Sequence, residues 1–110
     1  MSGGFEHDFT TDTKGRIIVQ VDWELDVHDE YESDEYGEAI VELDGTYVTL
    51  AKISGGGTQS EEKTLIEFNN VEAGAHTVTL GAYNNKKTYH DEKTIAYFDN
   101  VQIVYLEDIV

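Results

Sequence analysis

The stretch RIIVQVDWEL, residues 16–25, indicates the fold class most clearly, because its apolar side chains recur at every second position. One face of this stretch carries Ile17, Val19, Val21, Trp23 and Leu25, and the other carries Gln20, Asp22 and Glu24. Alternation with a period of two predicts a β-strand with one buried face. Trp23 shares the apolar face, so we expect it in the core rather than on a binding surface.

The same alternation continues outward from this strand along the chain. Further strands are predicted in GGFEHDF (3–9, the weakest), EAIVEL (38–43), TYVTLAKI (46–53), TLIEF (64–68), HTVTLGAY (76–83) and TIAYFDNVQIVYL (94–106). Asp44-Gly45 tolerates the positive φ angles of a two-residue hairpin turn. No segment shows an apolar stripe of helical period. The sequence therefore predicts an all-β protein, an antiparallel β-sandwich of jelly-roll type, as a single module over residues 1–110.

Alternating strand directions place the predicted loops at two ends of the sandwich. Loops 26–37, 54–62 and 84–93 fall at one end, and the turn 44–45 and segment 69–75 fall at the other. The three longest loops, which hold most of the clustered acids, are therefore expected to lie together.

The composition excludes several classes of protein. Acidic residues number 23 against 7 basic ones, which gives a formal net charge of −16. Such a field repels nucleic acid and anionic membranes, since binding to both depends on clustered Lys and Arg. No apolar run approaches the roughly 20 residues of a membrane-spanning helix. We therefore expect neither nucleic-acid binding nor membrane insertion, and a preference for cations.

The stretch YESDEYGEA, residues 31–39, concentrates acids of one sign in a loop. A solvated loop is one interpretation of such a run. The neighbouring loop, however, ends in Asp91 and Glu92 and supplies the amide of Asn85. Calcium takes six to eight oxygen ligands of these kinds, and the chain has no Cys to favour zinc. We therefore predict a calcium site at this end, with candidate ligands Glu32, Asp34, Glu35, Glu38, Asn85, Asp91 and Glu92.

Patterns of known metal loops and of catalytic sites are missing from the sequence. In an EF-hand register built on Gly37, Leu43 stands where the bidentate Glu belongs. The four histidines, His7, His28, His76 and His90, form no HxH or HExxH pair. No serine lies in a GxSxG elbow. We therefore expect no catalytic residues and no enzyme activity.

Aromatic residues in and beside the loops are the candidates for contact with a sugar ring. These ligand-binding candidates are Tyr31, Tyr36, Tyr83, Asn84 and Tyr89. Tyr47, Tyr97 and Tyr105 alternate within strands, which leaves either the core or a sheet face open for them.

Residues 73–103, AGAHTVTLGAYNNKKTYHDEKTIAYFDNVQI, carry a resemblance to a known group of proteins. With the VELDGTYV hairpin and the opening GFEHDF, they resemble galactose-binding-like jelly-roll modules. Such modules occur as non-catalytic carbohydrate-binding and accessory domains of bacterial secreted and surface proteins. The resemblance implies a structural calcium at the sandwich edge, held by Glu6 or Asp8 together with Asp99. The chain departs from the group in lacking a clear exposed Trp platform.

The leading functional expectation is a non-catalytic, calcium-binding module that recognises a glycan or polysaccharide. We expect an extracellular or cell-surface location with covalent neighbour domains, since MSGG is typical of a start added to a domain cut from a longer chain. The alternative is a calcium-stabilised structural or adhesive spacer that binds no sugar. A third interpretation is a halophile-adapted domain whose charges bind no specific ion.

Overall fold

The computed structural model describes residues 4–28, 34–85 and 94–108, which form seven strands. The strands are β1 (Gly4–Thr11), β2 (Gly15–Val27), β3 (Tyr36–Leu43), β4 (Thr46–Ser54), β5 (Gly57–Val71), β6 (Gly74–Asn84) and β7 (Thr94–Glu107). The described residues contain no helix, and so none that is long and apolar enough to cross a membrane.

The strands form two antiparallel sheets that pack face to face. Sheet A has the order β1-β6-β3-β4, and sheet B has the order β5-β2-β7. Strand β2 packs over β3, β7 over β6, and β5 over β4. The chain changes sheet at each connection except the β3–β4 hairpin, as in a jelly roll. The predicted antiparallel β-sandwich is confirmed.

The core lies between the sheets and is built from the alternating positions of the strands. Its fully buried side chains include Ile17, Val19, Val21, Leu25, Val41, Val78 and Leu80. Trp23 is only 7% exposed, and its Nε1 donates a hydrogen bond to Thr64 Oγ1 at 2.9 Å. The prediction that Trp23 belongs to the core is confirmed.

The prediction of a loop over residues 54–62 is wrong. Only Gly55 and Gly56, at φ 75° and 105°, separate β4 from β5. The polar run that follows pairs with the acidic half of β2, from Val27 opposite Gly57 to Trp23 opposite Glu61. Pairing with a long central strand overrides the loop-like composition of this run.

The expected meeting of the loops at one end is borne out by their described flanks. Gly55 N–H donates to the carbonyl of Glu35 at 3.0 Å, and Asn85 N–H donates to the carbonyl of Tyr36 at 3.3 Å. Residues that flank the β2–β3, β4–β5 and β6–β7 connections are therefore joined by hydrogen bonds.

Candidate functional site

The outward row of β3 forms the floor of a shallow pocket on sheet A. Ala39, Val41 and Leu43 point into the core, which leaves the alternate positions on the outer face. Those outward side chains are Tyr36, Glu38, Ile40 and Glu42.

The neighbouring strands add one tyrosine each. Tyr47 on β4 lies opposite Glu42, and Tyr83 on β6 lies opposite Glu38. The resulting tyrosine pocket has a volume of about 340 Å³ and is lined by Tyr36, Glu38, Ile40, Glu42, Tyr47 and Tyr83. Its volume falls at the lower end of the range of small-molecule sites, roughly 300–1,000 Å³.

The tyrosine rings present aromatic surface to solvent. Tyr47 is 60% exposed and Tyr83 is 42% exposed. The rings of Tyr36 and Tyr83 lie 6.2 Å apart at an interplanar angle of 41°. Desolvation, followed by the influence of Tyr83 and Glu38, raises the pKa of Tyr36 above its usual value of 10.0. A hydrogen bond with Tyr83 contributes to the same rise, so the Tyr36 hydroxyl stays protonated at neutral pH and interacts with its neighbour.

The most buried polar side chain of the pocket is Glu38, at 8% exposure. Its Oε2 accepts a hydrogen bond from Thr49 Oγ1 at 2.8 Å. Lys52, the cross-strand partner of Glu38, places its Nζ 3.9 Å from the centre of the Tyr36 ring. The pocket thus combines aromatic faces, a buried acceptor and a cation held on a ring.

The outer face of sheet B carries a different acidic pocket, of about 490 Å³, around Asp22. Asp22 Oδ1 accepts the backbone N–H of Lys63 at 2.8 Å, and its Oδ2 accepts Asn100 Nδ2 at 2.6 Å. Both donors belong to residues with positive φ, 55° for Lys63 and 49° for Asn100, next to register shifts of the flanking strands. The bond from Asn100, then the bond from Lys63, lowers the pKa of Asp22 below 3.8. Asp22 therefore stabilises the irregular segments of β5 and β7 by hydrogen bonds.

A third ionisable group joins elements at the opposite end of the sandwich. His76 Nδ1 lies 2.5 Å from Asp44 Oδ2, and its Nε2 lies 2.6 Å from the carbonyl oxygen of Glu72. The bond with Asp44 is the main reason that the pKa of His76 is raised above 6.5. This arrangement ties the β3–β4 turn to the start of β6.

The predicted calcium ligands at the loop end fall into separate environments. Asn85 Oδ1 accepts the N–H of Tyr36 at 2.7 Å, and its Nδ2 donates to the carbonyl of Asp34 at 3.0 Å. Glu35 is buried at 8% exposure, and Glu38 belongs to the tyrosine pocket. Glu32, Asp91 and Glu92 lie outside the described residues. Among the residues that the structure describes, no three His, Asp or Glu side chains are grouped to hold a metal ion.

The structure does not bring the second predicted set of calcium ligands together. Glu6 and Asp8 lie on β1 of sheet A, where Asp8 Oδ1 accepts a hydrogen bond from Thr77 Oγ1 at 2.8 Å. Asp99 lies on β7 of sheet B and lines the acidic pocket opposite Asp22. Asp8 and Asp99 therefore face solvent on opposite sides of the sandwich.

The predicted sugar-contact residues are found partly in one place. Tyr36 and Tyr83 meet in the tyrosine pocket, and Asn84 lies half-buried next to Tyr83, opposite Gly37. Tyr31 and Tyr89 lie outside the described residues.

Sequence reasoning missed the contributions of Tyr47, Ile40 and Glu42 to the pocket. A signal for them was present. Alternation in β3 puts Ile40 and Glu42 on the face of Glu38, and counting back from the Asp44-Gly45 turn pairs Glu42 with Tyr47.

Comparisons of the chain with family models, with curated proteins and with solved structures found no match.

Proposed function

We propose that this chain is a non-catalytic glycan-recognition module whose binding surface is the tyrosine pocket. The observation that carries the proposal is the convergence of three tyrosines around a buried carboxylate on one sheet face. The galactose-binding-like resemblance of residues 73–103 belongs to the same proposal, as does a place within a larger extracellular or surface protein.

The chemistry of the pocket suits a sugar ring. The C–H faces of a pyranose pack on aromatic rings, while its hydroxyl groups need hydrogen-bond partners close by. Tyr47 and Tyr83 offer exposed rings, and Glu38 offers an acceptor beside them. Because these side chains stand on paired strands, binding requires no ordering of the backbone beneath them.

The spacing of the acids supports a binding role rather than hydrolysis of the glycan. Glu38 and Glu42 are four residues apart on one strand, which separates their Cα atoms by about 13 Å. Carboxyl pairs that hydrolyse glycosidic bonds stand roughly 5–9.5 Å apart. The two carboxyl groups would reach that range only if both side chains leaned toward each other along the strand, so an acid–base pair across one bond is disfavoured.

Binding to a glycan array, followed by calorimetry on the glycans retained, tests the proposal. We expect saturable binding that Tyr83→Ala weakens about ten-fold or more, since stacking on an aromatic ring and its buried area are lost together. Tyr97→Ala is the matched control, because Tyr97 is 52% exposed on the outer face of sheet B. Equal loss in both variants would contradict the assignment of binding to the tyrosine pocket, whereas no binding to any glycan would contradict the proposal and favour the spacer.

Calcium stays a prediction of the sequence, since the described residues supply no site for it. Thermal unfolding with calcium and with a chelator, at constant ionic strength, tests it. A site filled at 100 times its dissociation constant stabilises the fold by about 2.7 kcal/mol, which shifts the midpoint by several degrees. An unchanged midpoint would remove calcium from the proposal and leave the tyrosine pocket unaffected.

A further inference from the structure

The tyrosine pocket holds an acid whose hydrogen-bonding capacity is only partly used. Glu38 is more than nine-tenths buried and lines the pocket, yet Thr49 supplies its single hydrogen bond from the described residues. An ionised carboxylate has two oxygens and about four acceptor positions. Burial of such a group without further partners is costly, which favours a ligand that donates hydrogen bonds to it.

Lys52 does not complete the coordination of this acid. It stands directly across the strand pair from Glu38, but among the described residues no ion pair joins the two. Its ammonium lies instead over the ring of Tyr36, 3.9 Å from the centre. The pocket therefore already holds a cation on an aromatic face, as the ring quadrupole favours.

The charge of the pocket leaves room for a second cation. Two carboxylates, Glu38 and Glu42, line it, and among the residues that the structure describes one ammonium, that of Lys52, lies at its side. The net charge of −16 adds a long-range field of the same sign. An anionic glycan would meet repulsion from both sources, and a cationic one would be attracted by both.

We propose that the tyrosine pocket selects glycans that carry a protonated primary amine, that is, amino sugars of the 2-amino-2-deoxyhexose type. The ammonium group donates to Glu38 Oε1, the oxygen that Thr49 does not contact, while the sugar ring packs on Tyr47 and Tyr83. This inference rests on the proposed glycan-binding function and names the class of glycan that the pocket prefers.

Calorimetry with two matched oligomers tests the selection. Oligomers of glucosamine and of N-acetylglucosamine, equal in length, share one backbone and differ in the charge on nitrogen. At constant ionic strength and at a pH where the amine is protonated, we expect the glucosamine oligomer to bind about ten-fold tighter, the usual gain from a charge-assisted hydrogen bond. A galacturonate oligomer is expected to show no binding.

Two charge-matched variants separate the pocket from the overall field. Glu38→Gln keeps the acceptor for Thr49 but loses the charge, so the two oligomers should bind it within about two-fold of each other. Glu24→Gln removes the same charge from the outer face of sheet B and should keep the ten-fold preference. An equal loss of preference in both variants would overturn the pairing with Glu38.

A third variant tests the pocket without removing an acid. Lys52→Met frees the ring of Tyr36 and makes the pocket more negative, so the glucosamine oligomer should bind about two- to five-fold tighter. Weaker binding would overturn the inference.

The outcomes also separate this inference from the function on which it rests. Equal affinity for both oligomers, lost in Tyr83→Ala, overturns the amino-sugar preference and keeps glycan recognition. A lysine-rich peptide that displaces the glucosamine oligomer at equal affinity overturns the assignment to a sugar. Absence of binding to every glycan overturns the proposed function itself.

Discussion

The outer faces of the two sheets each centre on an acid with tyrosine nearby, and the two acids behave differently. Asp22 on sheet B accepts a hydrogen bond on each oxygen, from Lys63 and from Asn100. Glu38 on sheet A is buried and accepts one hydrogen bond from the described part of the chain, that of Thr49. The hydrogen bonds of Asp22 therefore stabilise the strands of sheet B, whereas Glu38 keeps an oxygen that accepts no hydrogen bond from the described residues and can bind a ligand.

This difference shows why a count of acids says little about function. With 23 acidic residues, pairs and clusters occur on both faces and at the loop end. What distinguishes Glu38 is burial beside exposed aromatic rings with a single hydrogen bond from the described residues, an arrangement that costs stability in the absence of a ligand. Substitution of each acid, and of the residues that position it, tests this difference between the two faces.

The largest effect is expected from Gly37→Ala, because Gly37 sits between Tyr36 and Glu38 and presses into the core. A Cβ at this position would lie 2.4 Å from Thr94 Oγ1 and 2.8 Å from a methyl carbon of Val27. Overpacking of this kind costs about 1–3 kcal/mol. Chemical denaturation should show that loss, and calorimetry should show weaker glycan binding because both pocket residues are displaced.

The control for this variant is Gly15→Ala on β2. A Cβ there would lie 2.2 Å from the carbonyl oxygen of Leu106, far from the tyrosine pocket. It should destabilise the fold while leaving the affinity of the folded protein for glycan unchanged. Full glycan affinity in Gly37→Ala would show that the pocket does not depend on the close packing of β3.

The sandwich could be predicted from the sequence because apolar and polar residues alternate in most of its strands, and most regularly in β2. The pattern of Val19, Val21 and Trp23 is sufficient to place the buried face of β2. The start of β5 could not be predicted, since Thr58 to Lys63 are polar and their strand structure comes from pairing with β2. Local composition carries no information about that distant partner.

The candidate site could be predicted only in part, for a similar reason. The sequence indicates Tyr36 and Tyr83 because they flank loops, but their contact depends on β3 and β6 being neighbours in one sheet. It predicts a metal-binding role for Glu38 because this residue follows an acidic run. Its burial on the sheet face depends on the register with Thr49 and Lys52, including a shift after Ala39. Sequence alternation gives the face of a residue, whereas sheet order gives its neighbours.

The next largest effect is expected from Glu38→Met, which should stabilise the fold but weaken glycan binding. An apolar side chain of similar length removes a buried charge, so the free energy of unfolding should rise by about 0.5–2 kcal/mol. Binding of an amino-sugar oligomer should be lost. Denaturation and calorimetry on the same preparation test both. A loss of stability would instead make Glu38 a structural acid like Asp22.

Asp22→Ala should lower stability without affecting glycan binding, because it releases Lys63 and Asn100 from their shared acceptor. The folded pKa of Asp22 lies below 3.8, so its contribution is present above that pH and is lost as the pH falls through the lowered value. The melting temperature of Asp22→Ala should therefore lie furthest below that of the wild type at neutral pH, and the difference should become smaller in strong acid. Glu24→Ala, the next outward position on β2, is the control and should show a smaller difference. A pH-independent difference would contradict the role given to the charge.

The smallest effect is expected from His76→Gln. This variant removes a group that is positively charged when protonated and whose two ring nitrogens both have hydrogen-bond partners. Both ring nitrogens of His76 face acceptors, Asp44 Oδ2 and the carbonyl of Glu72, and only the doubly protonated ring donates to both. Because the folded pKa is raised, the stabilisation is complete below 6.5 and is lost as the pH rises through the folded value. The wild type should therefore exceed the variant in stability at acid pH, with the gap closing on the alkaline side. His7→Gln is the control, since His7 stacks between Phe5 and Phe9 with no carboxylate partner among the described residues. If the stability difference between wild type and variant were the same at every pH, packing of His76 against Phe9, and not its charge, would account for its contribution to stability. Complete hydrogen bonding would then no longer distinguish structural ionisable residues such as His76 from Glu38.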